Sequence, residues 1–299
     1  VAQCIQSAAY AGETALLAAM YGEERVIGPI LEQELGLRVR VLEAPDTETF
    51  GDLSHEIEHP GPQLDAARAT IKAAFARVPG ARIAVASGGS FGPHREIPFL
   101  TLAHEIVLFA DRDKSLKIVG HDVSSDTNFA HAIVTSASQA MMFAEKMGYP
   151  GHGVIVMGCE RGKPAPRVAL DKGIVHGAQL ERAVRGAVER CGAAIIQADM
   201  RAHRNPRRMR AIERATIDLV ERFHRRCPAC GRPDFSVIER IPGLRCANCK
   251  KPTYIVEREA SVCRGCAYRV ERPATDRASA DPAQCGMCNP LSPPGAPPA

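Results

Sequence analysis

The feature that most constrains this 299-residue chain is a set of four Cys-x-x-Cys pairs near its end: Cys227/Cys230, Cys246/Cys249, Cys263/Cys266 and Cys285/Cys288. Two residues between cysteines let one tight turn aim both sulfurs at a single ion, and two such turns complete a tetrahedral shell. Pro and Gly stand where such turns need fixed or positive φ, in Cys227-Pro-Ala-Cys230-Gly231 and Cys263-Arg-Gly-Cys266. Successive pairs are separated by 15, 13 and 18 residues, gaps that favour joining neighbours, the first pair with the second and the third with the fourth. The expectation is a small double zinc-ribbon module with two structural zinc ions, each in a closed shell with no position left for water. A cross-brace pairing, first with third and second with fourth, is the main rival. Iron–sulfur clusters and redox dithiols stand behind it.

Metal is preferred to disulfides on grounds of compartment. Val1 to Gly12 lacks the charged, apolar and small-residue regions of a signal peptide, and no apolar run is long enough to cross a bilayer. The expected location is therefore cytoplasmic, with no membrane partner, and cytosolic thiols are kept reduced. The three remaining cysteines, Cys4, Cys159 and Cys191, are scattered through apolar sequence and read as small buried hydrophobes.

Ahead of the cysteines, hydrophobic runs alternate in length and period. The spacing predicts strands at Thr14–Met20, Leu37–Leu42, Arg82–Ala86, Glu105–Ala110, Leu116–Gly120, Val154–Met157 and Ala193–Gln197. Helices are predicted at Glu23–Leu35, Gln63–Arg77, Phe129–Met147 and Ala178–Cys191, followed by a basic helix over 206–226. Alternation of this kind implies an α/β fold with a mostly parallel three-layer sheet. The expected domains are 1–222 for the α/β part, 223–290 for the cysteine module and 291–299 for a disordered Pro-rich tail.

In such a sheet, ligands bind beyond the carboxyl ends of the strands. Polar loops gather there: Asp46 and Glu48; the Gly-rich stretch Ser87-Gly88-Gly89-Ser90 leading to His94; Asp111; Asp122 to Asn128; and Asp199 to Asn205. In the last, Asn205 is a good N-cap and Pro206 suits the first helical position. Met209, Ile212, Thr216, Leu219, Val220 and Phe223 then form one helical face, with Arg207, Arg210, Arg214 and Arg225 opposite. Nine arginines stand between residues 201 and 226 against Glu213, Asp218 and Glu221, so the formal charge of +4 is concentrated there. Arg201, His203 and Arg204 would stand beside a helix N-terminus, which already favours an anion; the alternative is a solvated basic face with Asp199 pairing Arg201.

Two functional readings follow. In one, the chain is an enzyme or binder of a phosphorylated small molecule or nucleotide. Its candidate catalytic residues are Asp199, His203 and His94, and its candidate ligand-binding residues are Arg201, Arg204, Asn205, Ser87, Ser90, Asn128, Asp46 and Lys172. In the other, the basic helix and the zinc ribbons form a nucleic-acid-binding surface, though with no Trp and only Tyr254 and Tyr268 in the module there is little to stack on.

Several segments, taken with the cysteine tail, resemble an uncharacterised bacterial domain-of-unknown-function family. The strongest is Asp199-Met200-Arg201-Ala202-His203-Arg204-Asn205-Pro206 with Arg208-Met209. Others are Asp46-Thr47 with Phe50-Gly51 and Glu56, Ser90-Phe91-Gly92-Pro93-His94, Thr127-Asn128-Phe129-Ala130, His152-Gly153, Lys172-Gly173 and Cys288-Asn289-Pro290. The chain departs from that pattern at Met20, Tyr21 and Glu23, where Lys, His and Lys are usual, and at Gly88, where an acid is usual. Asp52, His59, Ala198 and Arg207 depart where Thr, Arg, Thr and Thr are usual. The resemblance implies no activity. The order of early elements, with Thr49-Phe50 and Lys72-Ala73, is also similar to inosine-triphosphatase-type nucleotide pyrophosphatases, which implies a related fold.

Overall fold

A computed structural model of the chain describes residues 10–43, 63–94 and 96–290. Asp46, Glu48, Asp52, Glu56 and His59, with Cys4 and the tail 291–299, lie outside the described residues. The chain divides into two compact units, Val1–Val220 and Glu221–Ala299. No helix among the described residues is long and apolar enough to cross a membrane.

The first unit carries two sheets. Strands β1 (Thr14–Ala19), β2 (Arg38–Glu43), β3 (Ile83–Pro93), β4 (Thr101–Asp111) and β5 (Leu116–Ser124) form one, in the order β2-β1-β3-β4-β5. Helix α1 (Glu24–Leu35) links β1 to β2 and stops at Gly36, whose φ of 67° suits a residue without a side chain. Helix α2 (Gln63–Arg77) lays Ala67, Ile71 and Ala74 against Leu16, Ala84, Ile106 and Leu108. Small residues on both sides let helix and sheet come close, and the apolar area they bury is the main source of stability here.

Strands β6 (His131–Val134), β7 (Val154–Glu160), β8 (Lys163–Ile174) and β9 (Ala193–Ala198) form the second sheet, in the order β6-β9-β7-β8. Helices α3 (Ala137–Lys146) and α4 (Gly177–Cys191) cover it, placing Ala140, Ala144, Leu180, Val184 and Ala187 against Val154, Val156, Ile174 and Ile196. Helix α5 (Pro206–His224) follows β9 after a single 3-10 turn at Ala202–Arg204. It runs close to β5, where a methyl group on Gly120 would overlap the Ala215 carbonyl and lie 2.7 Å from Leu219 Cβ. Only a glycine admits that approach.

The expected mostly parallel sheet is corrected by these pairings. Only β1 with β2 and β1 with β3 are parallel, while β3–β4, β4–β5 and every pair in the second sheet are antiparallel. The reason is that β3, β4 and β5 are joined by turns and β7 and β8 by a hairpin, and such short connections force antiparallel neighbours. The supposed loop Ser87–His94 is mostly strand, paired residue by residue with β4 from Ile83↔Asp111 to Pro93↔Thr101. The helix expected over Phe129–Met147 is strand β6 followed by the shorter α3, which starts after Ser136, whose side chain accepts from Gln139 N.

The second unit is a three-stranded antiparallel meander, β10 (Ser236–Pro242), β11 (Val256–Val262) and β12 (Arg269–Pro273). The register Ser236↔Val262 closes one end of the first hairpin, and Val262↔Arg269 returns the chain along β12.

Candidate functional site

The meander fixes which cysteines meet. The first pair precedes β10 and the third follows β11, so antiparallel pairing brings Cys227, Cys230, Cys263 and Cys266 to one end. The second pair lies between β10 and β11, and a bridge from Cys246 to Ala280 draws in the fourth, grouping Cys246, Cys249, Cys285 and Cys288 at the other. The sequential pairing expected from spacing is therefore corrected to an interleaved one, because the residues between pairs are strands rather than slack.

Each group suits one ion. Cys227 and Cys266 sulfurs are 3.7 Å apart and those of Cys230 and Cys263 3.6 Å; Cys246 to Cys288 is 3.7 Å and Cys249 to Cys285 3.6 Å. Sulfurs bound tetrahedrally at about 2.3 Å from a metal stand about 3.8 Å from one another. Backbone amides favour thiolate at one cysteine of each group, while Cys266 and Cys288 are raised by their cysteine neighbours. The amides of Gly265 and Cys266 pull the Cys263 thiol down to about 6. Burial raises the Cys246 thiol, but the amides of Cys249 and Asn248 outweigh it and bring it to about 7. The two Cys4 clusters could hold two metal ions.

A second site is built in the first unit around the segment after β9. Asp199 is fully buried, and both of its oxygens are taken by one neighbour: Arg201 donates from Nε to Oδ1 at 3.0 Å and from a terminal nitrogen to Oδ2 at 2.6 Å. Asn205 is also fully buried. Its Oδ1 accepts from Arg208 N and so caps α5, while its Nδ2 donates to Asn128 Oδ1 at 2.9 Å and to the Asp199 carbonyl. Asn128 in turn donates to the Met147 carbonyl. These bonds hold the segment at a fixed distance from the loop before β6.

The floor of the site is glycine. Gly153 accepts no substituent easily, since a methyl there would sit 3.2 Å from Arg204 Cβ and 3.4 Å from Asp199 Cβ. Gly173, at φ 68° inside β8, has the Arg201 terminal nitrogen and Arg204 Nε each 3.1 Å from where its Cβ would be. Two guanidinium groups thus converge over one residue, and the Asp199 carboxylate pairs with that of Arg201. Arg204 Nε is buried and has no hydrogen-bond partner among the described residues. His203 stacks on Tyr21 with ring centroids 5.6 Å apart, and Arg201 lies 5.9 Å over the same Tyr21 ring. Tyr21 is held by Glu23, whose Oε2 accepts from Tyr21 N at 2.7 Å and Met20 N at 3.2 Å. His203 is an exposed residue, yet partial desolvation, with Arg201 and Arg204 alongside, pushes its imidazole below the ordinary range.

Beneath this lies a buried ion pair. Glu105, with no exposure, accepts from Arg208 Nε at 2.7 Å, and another Arg208 nitrogen donates to the Met200 carbonyl. Phe91 lies across the Arg208 guanidinium at 5.5 Å. Burial raises the Glu105 carboxyl above the usual carboxylate range, against the pull of Arg208. Gly89 stands opposite Glu105 in the β3–β4 ladder, and a methyl there would lie 2.6 Å from Glu105 Oε2. The glycine exists for the carboxylate.

The sequence model of DUF6671, a domain of unknown function, matches residues 74–290. The chain belongs to that family. The match takes in both cysteine clusters, Glu105, Asn128, Gly173 and the whole Asp199–Arg208 segment, and leaves out Tyr21 and Glu23. No curated protein matches the chain.

Of the residues singled out from sequence, this family member brings together Asp199, Arg201, His203, Arg204, Asn205 and Asn128, with Lys172 next to the Gly173 floor. His94 is used elsewhere: its Nδ1 accepts from Glu96 N and Ile97 N and shapes the β3–β4 turn. Ser87 and Ser90 lie in strand β3 opposite Val107 and His104. Asp46 lies outside the described residues. Sequence reasoning missed the Glu105–Arg208 pair and Gly173's role between two arginines. One signal for the pair was available, since Arg208 precedes Ile212 by a turn and so falls on the apolar stripe of α5.

The basic face of α5 is largely neutralised. Arg214 makes a bidentate pair with Asp122 at 2.8 Å, Arg207 pairs with Asp126 at 3.1 Å, and Arg225 pairs with Glu221 at 2.7 Å.

Proposed function

We propose that the α/β unit binds a phosphate-bearing small molecule or nucleotide through Arg201 and Arg204, and that the cysteine module holds two structural zinc ions. The convergence of both guanidiniums over Gly173, with one nitrogen left unpartnered, carries the first part of this reading. A buried donor without an acceptor costs about 1–3 kcal/mol, which an anion's oxygens would recover. Arginine's planar fork suits phosphate oxygens, and the start of α5 adds partial positive charge. Nucleoside triphosphates, which offer the most phosphate oxygens to the two guanidiniums, are the first compounds to try. The neutralised face of α5 is the reason a small anion is preferred to a nucleic acid, whose affinity rests on many unpaired cations.

In this reading Asp199 positions Arg201 and is not itself an acid or base, since both its oxygens are occupied. His203 is the one member of the cluster whose ring nitrogens have no hydrogen-bond partner among the described residues. Zinc is favoured for the module by two groups of four cysteines with no His, Asp or Glu grouped with them among the described residues, and a reducing cytoplasm suits them.

The test is thermal unfolding of the full chain with inorganic phosphate, pyrophosphate and nucleoside mono- and triphosphates. A ligand at a hundredfold its Kd adds about 2.7 kcal/mol, a shift of several degrees that Arg204→Ala should remove. Absence of any shift across the panel would sink the proposal.

A further inference from the structure

We propose that this site takes a terminal, doubly charged phosphate, and that His203 takes up a proton when the anion binds. The inference rests on the phosphate reading above and concerns which phosphate the site prefers. Arg201 and Arg204 stand against Asp199, so their segment carries one net positive charge, and a proton on His203 makes it two. One charge matches a phosphodiester; two match a phosphomonoester or the end of a polyphosphate chain.

The geometry leaves His203 ready for that change. Its ring is fixed from one side by the Tyr21 stack and by Gly22, where a methyl would lie 3.5 Å from His203 Cβ. Arg25 lies along the same Gly22 backbone, and Glu23 stands next to it in sequence. On its own segment the charged neighbours of the His203 ring are Arg201, Arg204 and Asp199. Although the side chain is exposed, partial desolvation and the two arginines hold the imidazole below its ordinary range, outweighing Asp199 and Glu23. A dianion between the arginines reverses the local potential, and a protonated imidazole can then donate to a phosphate oxygen.

Titration calorimetry on the full chain tests this with two anions that do not themselves titrate near neutral pH, sulfate and dimethyl phosphate. Each is measured in two buffers of different ionisation heat. Sulfate should bind about tenfold more tightly than dimethyl phosphate, about 1.4 kcal/mol, with an apparent heat that differs between buffers. Its affinity should rise as pH falls from about 8 to about 6, by at most about tenfold per unit. His203→Gln should still bind sulfate but lose the buffer dependence. Equal heats in both buffers, or equal affinity for the two anions, would overturn the proton uptake and leave the anion site standing. A buffer difference that survives in His203→Gln would overturn the assignment to His203. If neither anion binds, the phosphate reading fails with it.

Discussion

Arg201 closes on Asp199 through two side-chain hydrogen bonds, 3.0 Å and 2.6 Å long, and a third from its backbone N–H at 3.1 Å, so that both carboxylate oxygens are engaged. The pair is a local brace, two residues apart, at the end of β9. Removing one partner strands a buried charge, which typically costs about 3–5 kcal/mol. Arg201→Ala should therefore lower the unfolding temperature sharply, and Asp199→Asn should do so to a smaller extent. Arg204, with no ion pair among the described residues, should be removable with a change within about 1 kcal/mol. Thermal unfolding of the three variants checks this, and equal losses for Arg201→Ala and Arg204→Ala would contradict it.

A methyl group at Gly89 is expected to drive Glu105 away from Arg208. Gly89→Ala should cost about 3 kcal/mol or more, by breaking a buried pair in a packed site. Gly92, three residues along the same strand, has open space where its Cβ would stand, with nothing within 4 Å, so Gly92→Ala should be within about 0.5 kcal/mol of the parent. Denaturant midpoints of the two variants decide the matter.

Interleaved ligation makes a prediction about pairs of substitutions. Cys227→Ser combined with Cys263→Ser damages one cluster and should leave about one metal ion per chain, whereas Cys227→Ser with Cys246→Ser damages both and should leave about none. Sequential pairing would give the opposite result in each case. Metal analysis of the purified double variants, beside a parent expected to hold two, distinguishes them.

Stability should fall on acidification. Desolvation lowers the imidazoles of the half-buried His104 and His152, and desolvation with Arg201 and Arg204 that of the more exposed His203, below their ordinary value of 6.5. The unfolded chain then binds more protons than the folded one as pH drops through that value, so unfolding is favoured there and unaffected well above it. His152→Gln should make the loss shallower. A stability that stays flat from about pH 7 to about pH 5 would contradict the direction of these shifts.

Helical spacing made α2, α4 and α5 legible, and Asn205-Pro206 marked where α5 starts because the cap and the first-turn proline act locally. The sheets were less legible. Gly88 and Gly89 read as loop residues, yet they lie in β3 because the Gln63 carbonyl and the Glu105 carboxylate take the space a side chain would need. Strand β8, with Pro164 and Pro166, sits at a sheet edge and gave no clean alternation. The eight clustered cysteines were plain from spacing, but their grouping depends on the meander between them. Glu105 and Arg208 are 103 residues apart, and no local pattern joins them.

The central claim is that an oxyanion sits between Arg201 and Arg204 above Gly173. The most direct measurement is anomalous diffraction from crystals of the full chain soaked in tungstate, a tetrahedral dianion with a strong signal. The account predicts a peak within about 5 Å of both guanidinium groups, lost in Arg204→Ala. Peaks only elsewhere on the surface, or none, would contradict it.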